Sequence, residues 1–254
     1  MHAEEAREEL GRLEDIDFGD LEVLRDISVD FSEAAEHEER GRPRTMEQRP
    51  RIGEMRRGLV VKRQGCFFEK IEYTENGTEG ALSGERSGFG WRITGYGRKK
   101  IASLKGNMLG TKYVMKRKDL ENELAESLLV EYTGLFSEGG PRSFQVFISS
   151  RDKTARETAS RQNKPQKDAR VRLVNKQPYY NTETDTYVLN FNGRVTLPSV
   201  RNFQIIHPHD ATYITMIFGK ISETEYVLDY TYPWNAVDAF GVALSSIGLK
   251  LAHD

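Results

Sequence analysis

Residues 233–254 read PWNAVDAFGVALSSIGLKLAHD, and the fold follows from them. Trp234, Val237, Phe240, Leu244, Ile247 and Leu251 recur at steps of three and four, which marks one stripe of a helix. Ala236, Ala239, Val242 and Leu249 carry apolar character round the other faces, leaving only Asp238 and Lys250 charged. A helix that is apolar on every side must be surrounded by protein or by lipid. Lipid is disfavoured, because a span needs roughly 20 apolar residues. A mid-helix carboxylate such as Asp238 costs about 2.5–3.5 kcal/mol on insertion. The spacing therefore predicts a core helix.

Upstream the pattern is that of strands. Leu59-Val60-Val61, Phe67 to Tyr73, Phe89 to Thr94, Ile101 to Leu104, Lys112 to Met115 and Ser143 to Ile148 read as short extended runs. Tyr187, Leu189 and Phe191 alternate with polar neighbours, and Asn192-Gly193 then turns the chain into Arg194-Val195-Thr196. Phe203 to Ile206, Tyr213 to Phe218 and Tyr226 to Tyr232 follow at antiparallel spacing. Tyr226, Leu228, Tyr230 and Tyr232 share one face, with Asp229 on the other. Between these runs, Asp119 to Tyr132 reads as a helix from the spacing of Leu120, Leu124, Leu128 and Tyr132, or as a helix with a strand at its C-terminal end. Arg151 to Arg170 has no apolar period and reads as a long polar loop. Many strands followed by one wholly apolar helix predict an α+β fold: a closed antiparallel β-barrel with the helix in its lumen. A barrel of that width needs filling, and closure removes its edges.

Charge divides the chain. Residues 1–50 hold 16 Asp/Glu against 7 Arg, a net of −9, while the remainder holds 30 Lys/Arg against 23 acids, a net of +7. Residues 1–55 are expected to form an acidic, poorly ordered tail, and residues 56–254 the barrel domain. Within the tail, Phe18, Leu21, Leu24, Ile27 and Phe31 approximate a helical stripe, suited to a partner's groove or to packing on the body. A basic body suggests an anionic partner. No N-terminal apolar stretch signals secretion or a first membrane span. The single cysteine, Cys66, cannot form an internal disulfide. The expected compartment is cytosolic or nuclear, and Asn76-Gly77-Thr78 reads as a hairpin turn rather than a glycan site.

No catalytic group can be named. His207-Pro208-His209-Asp210 lacks a third or fourth metal ligand at recognisable spacing. Gly106 to Lys112 lacks the glycine-lysine-serine/threonine end of a phosphate loop. Neither an enzyme nor a resident cofactor or metal is expected.

Particular runs carry a family resemblance. YVLNFNGRVT (187–196), SVRNFQIIH (199–207), Phe218-Gly219-Lys220, DYTYP (229–233), ALSS (243–246) and Lys250-Leu251-Ala252 closely resemble the C-terminal domain of tubby and tubby-like proteins. NMLGTK (107–112) is similar to the family's asparagine-leucine-methionine-glycine-threonine-lysine element. The resemblance runs from about Leu59 to Asp254 and is densest from Gln177 onward. It implies a barrel of about twelve strands around a hydrophobic C-terminal helix, with no enzymatic activity. It also implies a monomeric, peripheral adaptor that binds phosphatidylinositol bisphosphate head groups at the inner leaflet of the plasma or ciliary membrane. Animal members deliver cargo to cilia through a helix in the tail, and some are argued to act in the nucleus.

The family grips the head group with a basic-x-basic pair just before the NMLGTK-like element. Those positions are Ser103 and Lys105 here, and a third basic position aligns with Glu121. Two cations are thus replaced. Arg98, Lys99 and Lys100 before the strand, and Lys112, Lys116, Arg117 and Lys118 after it, are candidate replacements; each basic residue near an anionic membrane contributes about 1 kcal/mol. A protein-interaction module that has lost the lipid site, and a nucleic-acid-binding module with a transcriptional role, stand as the alternatives.

Overall fold

The computed structural model describes residues 46–64, 69–75, 78–118, 124–133, 142–149, 170–183 and 185–248. The tail stripe Phe18 to Phe31, Cys66, the Asn76-Gly77 turn, Glu121, the 151–169 loop and Leu249 to Leu251 lie outside them.

Twelve strands form a closed antiparallel barrel. In chain order they begin with β1 (Arg56–Gln64), β2 (Glu69–Glu75), β3 (Thr78–Ser87), β4 (Gly90–Thr94), β5 (Lys100–Gly106) and β6 (Lys112–Lys118). β7 (Leu124–Thr133), β8 (Ser143–Ser149) and β9 (Arg170–Asn175) continue the meander. A two-stranded ribbon, β10 (Tyr179–Asn181) with β11 (Thr186–Val188), stands apart before β12 (Phe203–His207), β13 (Asp210–Lys220) and β14 (Glu225–Tyr230). Each of β1 to β9 pairs with its neighbour in sequence, β9 pairs with β12, and β14 returns to β1 to close the wall. The β9–β12 seam is short, pairing only Asn175 with Ile205 and Val174 with Ile206. The β2–β3 register pairs Glu75 with Thr78, with two residues between them in the chain.

The lumen holds α1 (Ala236–Ile247), and all twelve of its residues are buried. Its start is fixed by Asn235, whose side chain accepts from Asp238 N at 2.9 Å, and its end by Gly248, whose N–H reaches Leu244 O at 2.9 Å. At twelve residues the helix is about 18 Å long. No helix among the described residues is long and apolar enough to cross a membrane. Alternate residues of every long strand point at it. Tyr73 meets Phe240 with ring centroids 5.9 Å apart, and Ile71, Ile93, Leu104, Met115 and Leu128 are fully buried around it.

Several polar groups in the lumen are paired, although Arg117 Nε and Nη1 are buried without a hydrogen-bond partner among the described residues. Arg117 turns inward from β6, and its Nη2 lies 3.4 Å from Asp238 Oδ2 in the first turn of α1. Tyr132 OH and Ser245 Oγ are 2.8 Å apart, and burial pushes the Tyr132 phenol well above its usual range. Trp234 Nε1 donates to Thr215 Oγ1 at 3.0 Å. At the helix C-terminus Arg86 donates to Gly248 O at 3.3 Å, so opposite charges complement the two ends of the helix dipole.

Two expectations are corrected. Of the two readings of Asp119 to Tyr132, the single helix fails: the described part is strand β7, in line with the alternative of a strand at the C-terminal end. A spacing of four is even, so it satisfies one face of a strand as well as a helical stripe. A bulge at the β6–β7 pairing (Met115↔Leu128, then Lys116↔Glu126) then moves Leu124 to the outer face. The strand–turn–strand expected over Tyr187 to Thr196 is only partly formed. Asn192 and Gly193 both have positive φ, as the turn requires, but β11 ends at Val188 and Arg194 to Thr196 is not strand. That segment instead crosses the outer wall. Arg194 Nε and Nη2 grip Asp229 at 2.6 and 2.8 Å, and Thr196 N and Leu197 N donate to Lys220 O. Asp229 is thereby buried although it faces outward on β14.

Asp238→Ala leaves the Arg117 guanidinium buried without its counter-charge. The expected loss is about 3–5 kcal/mol in urea unfolding, while a surface control such as Lys99→Ala stays near the parent.

Candidate functional site

Strand alternation and register decide which cations can meet. On β5, Ala102 and Leu104 point inward, so Ser103 and Lys105 share the outer face, with Lys105 exposed. On β4, buried Trp91 and Ile93 put exposed Arg92 outward. On β6, buried Met115 and Arg117 put Lys116 outward. Register then pairs Arg92 with Ser103 and Ser103 with Lys116. Neighbouring strands lie about 5 Å apart, so Ser103 sits between two cations, with Lys105 two residues further along its own strand. Lys116 Nζ lies 3.8 Å from Glu126 Oε1, whereas Arg92 and Lys105 form no ion pair among the described residues.

The expected site residues separate in space. Ser103 and Lys105 belong to this cluster. Lys112 lies at the same end of the sheet, but its Nζ is 3.0 Å from Glu131 Oε1, and this contact lowers the Glu131 pKa below the usual carboxylate range. Arg98 and Lys99 in the β4–β5 connection and Lys100 at the start of β5 are exposed, and Arg98 has a φ of 60°. Lys100 and Lys105 are five residues apart on an extended strand, roughly 17 Å. The two groups therefore cannot clasp one phosphate cluster. Arg117, another candidate replacement, is removed from the surface by its pairing with Asp238. Arg92 was missed. Its signal is the alternation Trp91-Arg92-Ile93, but its closeness to Ser103 depends on the β4–β5 register.

Beside Lys105, two connections meet at one end of the barrel. The β5–β6 turn is locked by Asn107, whose Oδ1 accepts from Thr111 N at 2.8 Å and Lys112 N at 3.1 Å, while its Nδ2 donates to Thr111 Oγ1 at 2.7 Å. Asn107 N donates to Lys112 O at 2.9 Å, and Gly110 N to Asn107 O at 3.1 Å. The β3–β4 turn reaches it through Gly106 N, which donates to Phe89 O at 3.1 Å. This approach requires Gly90 and Gly106. A Cβ on Gly90 would lie 2.0 Å from Leu104 O, and one on Gly106 2.5 Å from Phe89 O.

Elsewhere, a cleft of about 770 Å³ opens where the 187–200 segment passes the barrel mouth, lined by Tyr132, Phe144, Phe191, Leu197 and Phe203 and reaching Ser246. At the β12–β13 turn, His207 Nδ1 accepts from His209 N at 3.3 Å, and Asp210 Oδ1 accepts from Thr212 N at 2.9 Å and from Thr212 Oγ1 at 2.6 Å. Partial burial lowers the His207 pKa. Among the described residues no group of three or more His, Cys, Asp or Glu is arranged to hold a metal.

Fold and surface together define a class: a closed antiparallel barrel wound on a buried helix, with a group of cations on its outer wall. The Tub family model matches residues 93–249, and the chain belongs to that family. It is similar to human "Tubby-related protein 3", at 36% identity over 179 residues, covering 61% of this chain and 40% of that protein. It is similar to "Protein king tubby 1" of Aedes aegypti at 38% over 169 residues, covering 60% of this chain and 41% of the relative. "Tubby protein homolog 1" of Caenorhabditis briggsae is 58% identical over 80 residues, 32% of this chain and 19% of that protein. The chain thus spans less than half the length of these relatives.

Gly90→Ala forces backbone apart at the β4–β5 pairing. Thermal or urea unfolding is expected to show a loss of about 1–3 kcal/mol.

Proposed function

We propose that this chain is a non-catalytic, peripheral membrane adaptor whose barrel binds the phosphorylated inositol head group of phosphatidylinositol bisphosphate. One observation carries this reading: strand alternation and register put Arg92, Lys105 and Lys116 beside Ser103 on a solvent-facing wall. Three cations around one donor suit a cluster of phosphates, since charge-assisted hydrogen bonds to phosphate are among the stronger polar contacts. Ser103 stands where the family resemblance leads one to expect a cation, and Arg92 supplies that charge from the neighbouring strand. Arg98, Lys99 and Lys100 form a separate basic patch that adds nonspecific attraction to an anionic surface. Family membership and the net charge of +7 beyond residue 50 support the same reading.

The place of action in this reading is the inner leaflet of the plasma or ciliary membrane. The acidic tail, with Phe18 to Phe31, supplies the contact to protein cargo. A nucleic-acid-reading role is less well supported, because the one α-helix among the described residues is enclosed in the barrel and cannot enter a groove.

Sedimentation with phosphatidylcholine vesicles, with and without phosphatidylinositol bisphosphate, tests the reading. Lys105→Glu and Arg92→Glu are each expected to weaken lipid-dependent binding by about tenfold or more, given charge-pair contributions of this order. Lys99→Glu is expected to have a smaller effect that disappears at high salt. Unchanged binding in both of the first two variants contradicts the assignment.

A further inference from the structure

Three large apolar side chains beside the cation cluster are exposed to solvent. Met108 is 72% exposed, Leu109 54% and Phe89 49%. Single exposed apolar residues are ordinary, but a cluster at one tip marks an interaction surface. These three stand on two adjoining turns, and Gly106 N to Phe89 O ties the turns together. The turn carrying Met108 and Leu109 is held by the three hydrogen bonds of the Asn107 side chain and two between backbone groups. A loop braced this firmly presents its apolar tip already ordered, so little conformational entropy is lost on burial.

Charge identifies what buries it. Lys105 is the last outward residue of β5 before this turn, and Ser103, Arg92 and Lys116 lie one strand repeat behind it. Apolar groups at the leading edge, Lys105 next, and further cations about 7 Å behind Lys105 match the layering of a bilayer interface, acyl chains beneath anionic head groups. A protein partner would be expected to meet the cations with a flat acidic surface and would leave a protruding apolar tip less well matched.

We infer that Phe89, Met108 and Leu109 form a wedge that inserts into the acyl boundary of an anionic membrane while the Lys105 cluster holds a head group. The inference rests on the head-group reading above and adds to it the depth and orientation of docking. The barrel meets the bilayer with the end that carries the β3–β4 and β5–β6 turns. The opposite end of these strands, with Arg98 to Lys100, is directed away from the acyl region and acts on the anionic surface only at longer range.

The test compares two probes: phosphatidylcholine vesicles containing phosphatidylinositol bisphosphate, and soluble inositol trisphosphate, which has the head group without acyl chains. In the double variant Met108→Ser, Leu109→Ser, vesicle affinity is expected to fall on the order of tenfold per residue, with binding of the soluble head group unchanged. Leu124→Ser removes a side chain that is 65% exposed at the other end of the sheet, and it should change neither. Leu109→Trp should be quenched by lipids brominated in the acyl chains, against a background of buried Trp91 and Trp234.

Vesicle affinity unchanged in the double variant, or lowered equally by Leu124→Ser, overturns the wedge and leaves the head-group reading standing. If the parent does not bind soluble head group but the double variant still loses vesicle binding, the head-group reading falls and the wedge survives. A parent that binds neither probe overturns both.

Discussion

A helix without a polar face cannot be left at a surface, and the rest of this molecule follows from enclosing it. All twelve residues of α1 are buried, so each long strand of the wall must offer it alternate apolar side chains. Closure supplies that surround and removes the unpaired edges that twelve strands would otherwise expose. The charges that remain inside are matched. Asp238 meets Arg117, and Tyr230 OH donates to Glu75 at 2.8 Å, with Arg56 3.7 Å from the same carboxylate. With the lumen filled, a ligand has only the outer wall and the rims to bind. That constraint turns a question about fold into one about which side chains point outward.

The apolar helix and most strands were legible because their periods are unambiguous. β7 was not, since leucines four apart satisfy both a helix and one face of a strand, and only pairing with β6 and β8 decides between them. β3 was missed because Leu82 is its main large apolar residue that packs inward; Gly84 beside it lies against Leu244 and contributes no side chain. β9 was hidden at the end of a polar run. The 194–196 segment reads as a strand by composition, yet Arg194 is held by Asp229 across the outside of the wall.

The candidate site was half legible. Lys105 and Ser103 share a face by alternation alone. Arg92 lies eleven residues before Ser103 in the chain and becomes its neighbour only through register. Arg98 to Lys100 are closer in sequence but sit at the other end of the strand. Arg117, equally cationic in the sequence, is turned inward by the pleat and neutralised by the helix. Nearness along a chain is a poor guide to nearness on a sheet. In this barrel the position lacking a charge, Ser103, has Arg92 beside it on the next strand, while the glycines at 90 and 106 let two turns approach closely.

The central claim is that the filled barrel binds from its outer wall, at the crossing of β4, β5 and β6. Titrating the isotopically labelled protein with soluble inositol trisphosphate, and following amide resonances, tests it directly. The account predicts shifts concentrated at Arg92, Ser103, Lys105 and Lys116, with α1 unperturbed. Shifts centred on Phe191, Leu197 and Ser246 in the barrel-mouth cleft, or on Arg98 to Lys100 alone, would contradict it.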